Sequence, residues 1–298
     1  MNFGKFWSPS EDDTSAQNTN PLDSDQGVPH LLRARKEKAR EILRYYRALY
    51  GAWGPQHWWP AETRFEVIVG AYLTQNTAWT NVELALTNLR AAQGLSIKAI
   101  RDVPLAKLEQ LIRPSGYFRQ KAARLKGFVA FLDSRYQGSL DLLFAQPTDK
   151  LREELLSLNG IGPETADSIL LYAGNHPVFV VDAYTRRILD RHKILQEKTN
   201  YEEVRELFER ALAPVVHRQE TLPKNAAPPL ASGLPGAAHP PSAMSTVTRT
   251  ALVQVYNEMH GLIVGVGKNY CRKTKPACEE CPLRPFLPAG RRTVGPSR

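Results

Sequence analysis

The sequence predicts an all-α protein, and three observations support this fold class. Apolar residues recur at helical spacing, as Leu151, Leu155 and Leu158 do in one segment. Proline and glycine stand where helices begin and end, with Pro163 suited to a first helical turn and Gly174 to a C-terminal cap. Between two low-complexity stretches the apolar spacing is nearly all helical. We therefore expect helices throughout the ordered part of the chain.

The predicted elements follow in chain order. The first thirty or so residues are rich in Ser, Asp, Asn and Gln without apolar periodicity, so we expect order to begin near Leu31. Thr63 with Glu66 forms a capping-box pattern at one helix start, and Thr148 opens a later helix. Six prolines with several Ala and Gly in residues 218–247 predict an inserted loop.

Charge and composition narrow the function classes. The 298 residues carry a formal charge of +9, which favours an anionic partner such as nucleic acid. The N-terminus lacks the apolar core of a signal peptide, and no apolar run is long enough to span a bilayer. We expect a soluble, cytoplasmic protein with no membrane partner.

The stretch TDKLREELLSLNGIGPETADSILLYAG predicts two helices joined by a tight Asn-Gly-Ile-Gly turn. Backbone N–H groups exposed at such a bend can hold a phosphate, and glycine permits both the turn and a close approach. On the turn alone, a plain helix connection with a glycine cap is the favoured interpretation. Asp182, which ends the following apolar run, is by itself most simply an N-cap.

Both features fall within one longer pattern. L-x-G-I-G-x-x-T-A followed by V-D-x-x-x-x-R resembles the helix-hairpin-helix, Gly/Pro-rich loop and aspartate signature of the endonuclease III-like DNA glycosylase superfamily. The resemblance covers most of residues 31–217 and 248–287, including FEVIVGAYLTQNTAW and MHGLIVGVGKNYCRKTKPACEECPL. It implies a base excision repair enzyme that acts on damaged double-stranded DNA as a monomer.

The resemblance also implies a two-lobed fold with DNA across the cleft. The damaged nucleotide is flipped into the cleft because its glycosidic bond cannot be reached inside the base stack. The segments are a disordered lead (1–30), the N-terminal part of the second lobe (31–61), a helical barrel lobe with the hairpin (62–176), more of the second lobe (177–217), the inserted loop (218–247), and a C-terminal helix with a cysteine loop (248–298).

Within this family pattern, Asp182 is the catalytic carboxylate, which stabilises positive charge on the sugar or orients an attacking water. Gln75 matches a residue that fills the hole left by the extruded base. Main-chain amides of the hairpin hold phosphates without reading sequence. The implied DNA contacts are Gln75, Gly160, Ile161, Gly162 and Thr165.

Glu164 occupies the position at which bifunctional members carry a lysine. That lysine attacks the sugar as an amine and cleaves the strand through a Schiff base. A carboxylate cannot form the imine, so the sequence resembles the monofunctional branch, without AP-lyase activity. Glu164 is also simply a favourable first-turn residue beside the helix dipole.

Aromatic residues predict the substrate. Isolated tryptophans usually belong to the core, but a Trp-Trp-Pro and an aromatic just after Q-N-T resemble the 3-methyladenine glycosylase branch. By that resemblance Trp59 and Trp79 sandwich a flipped alkylated purine, and Trp58 and Pro60 shape the wall. N-alkylation makes the purine cationic, and a cation stacks favourably on indole.

The three cysteines, Cys271, Cys278 and Cys281, lie close together near the C-terminus, which suits a local metal site better than a disulfide framework. They form C-x6-C-x2-C, and iron–sulfur members of the family place a fourth cysteine after five more residues, where this chain has Leu287. The resemblance implies a [4Fe-4S] cluster with three cysteine ligands. Zinc is an alternative, and so are three thiols without metal.

Two other functions stay open at this point. A catalytically idle DNA-binding module would retain the hairpin glycines but need neither Asp182 nor an aromatic pocket. A glycosylase for adenine or thymine mismatches would need hydrogen-bonding groups for a neutral base edge.

Overall fold

The computed structural model describes residues 27–217 and 240–289, and no β-strand occurs within them. The predicted all-α class is confirmed. Helix α1 (Gly27–Trp53) begins in a small unit of residues 1–37 and continues into a larger unit, 38–298, that holds all later elements. Its first residue precedes the predicted start of order at Leu31; residues 1–26 of the predicted lead lie outside the described residues.

One group of helices runs from α2 to the hairpin. Its central helix is α2, whose residues Phe65 to Leu73 are all buried, as expected for a helix surrounded by others. Pro163 opens α9 and Gly174 caps the π-helical turn after it, as predicted. The group comprises α2 (Arg64–Thr74), α3 (Trp79–Ala91), α4 (Ile97–Asp102), α5 (Leu105–Leu111), α6 (Phe118–Tyr136), α7 (Leu140–Phe144), α8 (Thr148–Leu156), α9 (Pro163–Ser168) and the π-helical turn Ile169–Ala173.

A second group comprises α10 (Ala183–Arg191), α11 (Tyr201–His217) and α12 (Ala251–Asn269). Helix α12 packs against α10, α11 and the π-helical turn, and most of its residues are buried. A Cβ at Gly267 would lie 2.1 Å from the Tyr184 ring, so glycine is what allows α10 to approach α12. None of the helices in residues 27–217 and 240–289 is long and apolar enough to cross a membrane.

The predicted helix starts are present, but their side chains bond differently from the expected pattern. Thr63 Oγ1 accepts from Glu66 N–H at 3.1 Å, whereas the Glu66 carboxylate accepts from Glu62 N–H rather than from Thr63. The capping box is therefore one-sided. Thr148 begins α8, and its hydroxyl hydrogen-bonds His176 Nδ1 at 2.9 Å.

The end of the predicted inserted loop packs onto the tryptophan segment. Residues 218–239 lie outside the described residues, but Met244 is buried and its N–H donates to Ala61 O at 3.0 Å. Ser242 Oγ accepts from Ala61 N–H at 3.3 Å. The last residues of this segment are thus hydrogen-bonded to Ala61, just after Trp58 and Trp59. The boundaries of the predicted segments stay predictions.

Candidate functional site

A cleft of about 1030 Å³ opens between the end of α2, the hairpin, the start of α10 and one face of α12. The structure brings most of the predicted site residues to its walls. Those that line it are Trp58, Trp59, Gln75, Trp79, Gly160, Gly162, Glu164, Thr165 and Asp182. Pro60 and Ile161 do not line it, and Ile161 is a buried side chain that anchors the hairpin in the core.

The hairpin backbone requires glycine at one of its two glycine positions. Gly160 has φ of +80°, and a Cβ there would also lie 2.0 Å from Arg124 Nε. Gly162 faces open space, so its backbone remains accessible to an external group. The Ile161 N–H already donates to Leu158 O at 3.1 Å. The Ile161 amide, which was predicted to bind phosphate, is therefore already hydrogen-bonded within the turn.

Gln75, at the C-terminal end of α2, is fixed by three hydrogen bonds. Its Oε1 accepts from Arg124 Nη1 at 2.9 Å, and its Nε2 donates to Gly160 O at 2.9 Å and Thr165 Oγ1 at 3.0 Å. The amide is thus oriented by the hairpin and by α6. To fill a hole in DNA, as the sequence predicts, Gln75 must exchange these bonds for contacts with the duplex.

Asp182 is both the N-cap of α10 and a carboxylate in the cleft. Its Oδ1 accepts from the N–H and the hydroxyl of Thr185, at 2.7 and 2.9 Å. Its Oδ2 lies 3.6 Å from Nε2 of His260. Burial works to raise the pKa of Asp182, but His260 and Thr185 outweigh it and hold that pKa below its ordinary value. The carboxylate is therefore ionised at neutral pH.

Sequence reasoning missed two polar residues of the cleft wall, His260 and Lys268. Both lie on α12, and they line the cleft together with Val264. The three residues follow one another at intervals of four, which places them on one helix face. This spacing was a usable signal, because it places a histidine and a lysine on the same helix face as the apolar Val264.

Glu164 stands at the cleft mouth near Asp182. Its side chain keeps contact with solvent. Burial by surrounding protein atoms, followed by the negative charge of Asp182, raises the pKa of Glu164 to about 7. The positive charge of Arg186 lowers this pKa by a smaller amount. The cleft thus contains one carboxylate held ionised and a second that is partly protonated at neutral pH.

The three tryptophans contact one another, and the Trp59 and Trp79 rings do not lie parallel. The rings of Trp59 and Trp79 are nearly perpendicular, at 84°, with centroids 5.2 Å apart. A base held between two faces needs parallel rings separated by two stacking distances, about 7 Å. Trp58 packs edge-on to Trp59, and the Lys268 ammonium lies 5.6 Å from the Trp58 ring centroid. We call this conformation of the tryptophan cluster closed, because a base cannot stack between the Trp59 and Trp79 rings.

Comparison with known proteins identifies the family. A proposed DNA repair glycosylase, MJ1434 of Methanocaldococcus jannaschii, is 40% identical over 256 residues, which cover 85% of this chain and 98% of that protein. The model of the HhH-GPD superfamily, described as a base excision DNA repair protein, matches residues 69–214. The chain belongs to the HhH-GPD superfamily. It is a base excision repair DNA glycosylase of that family.

Solved structures agree with this HhH-GPD assignment. The 3-methyladenine DNA glycosylase MagIII of H. pylori, bound to 1,N6-ethenoadenine, has a TM-score of 0.61 and 30% identity, covering 77% of this chain and 97% of its own. A trapped endonuclease III–DNA covalent intermediate has a TM-score of 0.59 at 20% identity, covering 84% and 94%. The second likeness shows the fold alone.

The cysteine loop of this HhH-GPD protein is hydrogen-bonded to helix α10. Arg191 Nη1 donates to Cys271 Sγ at 3.2 Å, and Arg187 Nε donates to Cys271 O at 2.7 Å. Burial raises the pKa of the Cys281 thiol to about 11, and Cys271 and Cys278 are near enough to add to the shift. The three thiols therefore lie near one another.

The residues do not fit a cluster held by four cysteines. The fourth position is Leu287, a buried aliphatic side chain that offers no donor. Within residues 27–217 and 240–289, no three or more His, Cys, Asp or Glu side chains are grouped so that they could hold a metal ion. The loop keeps its shape through the α10 arginines and short backbone turns.

Proposed function

We propose that this protein is a monofunctional DNA glycosylase that hydrolyses the N-glycosidic bond of flipped alkylated purines, such as 3-methyladenine, in double-stranded DNA. The observation that carries the proposal is that an ionised Asp182 and a cluster of three tryptophans, Trp58, Trp59 and Trp79, line one cavity. A cytoplasmic, monomeric enzyme belongs to the same proposal.

The chemistry required of Asp182 is electrostatic. As the glycosidic bond breaks, the sugar gains positive charge, and a fixed carboxylate stabilises that charge more than it stabilises the ground state. Thr185 holds Oδ1 in place, so the carboxylate does not have to reorganise during the reaction. Alkylation gives the leaving purine a positive charge, so the base departs without an acid to protonate it.

The tryptophan cluster offers indole faces to a cationic base. A cation on an indole face is stabilised by about 0.5–2 kcal/mol, depending on desolvation. In the closed cluster Lys268 occupies such a position over Trp58, and Trp79 is the partly exposed ring that borders the cleft. We infer that a flipped base displaces Trp79 and competes with the Lys268 ammonium. The likeness to H. pylori MagIII, solved with 1,N6-ethenoadenine, supports a purine-sized pocket.

The absence of lyase activity is inferred from Glu164. Its carboxyl lines the cleft where the lyase lysine of bifunctional relatives is expected, and a carboxyl group cannot form an imine with the sugar. We expect borohydride to trap no protein–DNA adduct with the wild-type protein, and Glu164→Lys to yield one. Trapping by the wild-type protein would show that another amine attacks the sugar.

The decisive experiment measures base release from methylated double-stranded DNA by chromatography. We expect 3-methyladenine to be released and the strand to stay intact until it is heated in alkali. Duplexes with G:T and A:G mismatches serve as competing substrates. Release of thymine or adenine from them, without release of methylated purines, would replace this proposal with a mismatch glycosylase; no release from any duplex would favour an idle binding module.

A [4Fe-4S] cluster on Cys271, Cys278 and Cys281 is the remaining part of the proposal. The electrostatic influence of Cys271 and Cys278 on the Cys281 thiol supports it. Leu287 at the fourth position opposes it, as does the lack of a metal-holding group of side chains within residues 27–217 and 240–289. Iron and acid-labile sulfide analysis of anaerobically purified protein tests it. Protein free of both that still folds and binds DNA would show that the loop works without metal.

A further inference from the structure

We propose that His260, oriented by Tyr172, is a positioning residue that points an Nε2–H at Oδ2 of the catalytic Asp182. The inference rests on the proposed function, because it concerns how the carboxylate of that reaction is held. Neither residue forms part of the hairpin signature, and the chain separates Tyr172 from His260 by 88 positions.

The geometry leaves Nε2 of His260 facing the carboxylate. His260 is 4% exposed, and its Nε2 has no hydrogen bond of normal length among the described residues. The nearest ionic group is Asp182 Oδ2, at 3.6 Å. This distance is longer than an ordinary N–H···O bond. Catalytic hydrogen bonds are often long before substrate binds and shorten in the complex, so the pair is poised to close when DNA is bound.

Tyr172 determines which nitrogen of His260 carries the proton. Its hydroxyl is buried and hydrogen-bonds His260 Nδ1. Burial raises the pKa of Tyr172 well above its ordinary value, so the hydroxyl keeps its proton. The Trp58 indole, which also acts on this hydroxyl, is only a donor and cannot accept that proton. Tyr172 therefore donates to Nδ1, and the proton of neutral His260 is placed on Nε2.

Asp182 has no equivalent donor from the other titratable groups around it. Glu164, Tyr172 and Tyr184 all interact with its charge, and each is itself destabilised in its anionic form by that charge. Arg186, Arg187 and Lys268 also line the cavity as cations. Among these groups, His260 is the one whose ring nitrogen faces Oδ2 of Asp182, at 3.6 Å, while Thr185 on α10 donates to Oδ1.

The first test is spectroscopic and does not depend on activity. Long-range ¹H–¹⁵N correlation on the intact ¹⁵N-labelled protein at neutral pH reports which ring nitrogen of each histidine is protonated. The signals that disappear in His260→Gln assign the ring among the seven histidines of the chain. We expect a protonated Nε2 and an unprotonated Nδ1. A proton on Nδ1, in the neutral ring or in an imidazolium, would overturn the proposal.

The second test is the pH profile of single-turnover base release. Catalysis needs ionised Asp182, and removal of a donor favours its protonated form, so the acid limb of His260→Leu should move to higher pH. We expect a rate about tenfold lower at neutral pH, as for the loss of a donor to a charged group, with unchanged affinity for abasic-site DNA. His260→Gln should restore part of the rate. Tyr172→Phe should shift the same limb less.

Matched controls separate positioning from packing. His176→Leu removes another buried histidine, one that bonds Thr148, and Tyr256→Phe removes a buried hydroxyl that bonds Glu209 O. Both controls should leave the acid limb in place. An equal shift in controls and His260→Leu, or no shift in either, would overturn the proposal. If wild-type protein releases no base at all, the proposed function fails and the tautomer measurement still judges the His260 assignment.

Discussion

The catalytic corner and the tryptophan cluster lie on the same cleft but are built in opposite ways. Thr185 donates to Asp182, Arg124 donates to Gln75, and Gln75 donates to the hairpin carbonyl of Gly160, so both side chains are fixed in the DNA-free protein. The Trp59 ring meets Trp58 and Trp79 edge-to-face, so no two parallel indole faces are set to hold a base between Trp59 and Trp79. If the proposed function holds, the reacting carboxylate is held in place before DNA binds, whereas the tryptophans must move before a base can bind between them.

Substitution of Asp182 should have the largest effect. Asp182→Asn retains an oxygen that can cap α10, so the fold and the affinity for abasic-site DNA should be preserved. The negative charge that stabilises the transition state is lost, and we expect base release to fall by about a thousandfold or more. Single-turnover release from methylated DNA measures the rate, and gel-shift titration measures the affinity. Base release at a near-normal rate would show that Asp182 is not the catalytic carboxylate.

Substitution of Trp79 tests whether the tryptophan cluster binds the flipped base. Trp79→Ala should lower release of 3-methyladenine by about 10- to 100-fold, because one stacking face for a cationic base is removed. Affinity for abasic-site DNA should change little, since that ligand has no base to stack. Trp53→Phe is the matched control, because Trp53 stacks on Tyr270 and does not line the cleft. Equal losses in both variants would assign the tryptophans to the core alone.

The sequence predicted the fixed parts of the site better than the adaptable parts. Asp182, Gln75 and the hairpin belong to a local pattern, and they do line one cleft. The partner that orients Gln75 could not be read from local sequence, because Arg124 lies 49 positions from Gln75. The sandwich of Trp59 and Trp79 was predicted from residue types, whereas ring orientation depends on packing against neighbours such as Tyr172.

Substitution of Arg124 should have a smaller effect, because it removes one of the hydrogen bonds that fix Gln75. Arg124→Met removes the donor that fixes Gln75 Oε1 and the guanidinium that packs beside Gly160, so the Gln75 amide should become mobile. We expect affinity for abasic-site DNA to fall by about three- to tenfold, which is in the range of one lost charge-assisted hydrogen bond. The rate of base release from bound substrate should hardly change. Arg119→Met, on the same helix, is the control for lost charge. A loss of the same size in that control would mean that Arg124 acts through charge alone.

The smallest effect concerns stability and comes from Glu164. Its pKa in the folded protein is about 7, against an ordinary value of 4.5, so between these values the folded state binds more protons than the unfolded state. This term therefore destabilises the fold progressively as pH rises through that window. Glu164→Gln cannot titrate and should be relatively more stable than the wild type at pH 8 but not at pH 4.

Solvent contact screens Glu164, so we expect the gain at pH 8 to stay below about 1 kcal/mol in urea unfolding. Glu153→Gln removes an exposed carboxylate on α8, outside the cleft, and should show no such change with pH. A pH-dependent gain confined to Glu164→Gln would show that burial, together with the charge of Asp182, disfavours the ionised form of Glu164. The same gain in stability at both pH values would instead assign the effect to the helix propensity of glutamine at this position. Ionisation of Glu164 beside Asp182 would then not lower the free energy of unfolding.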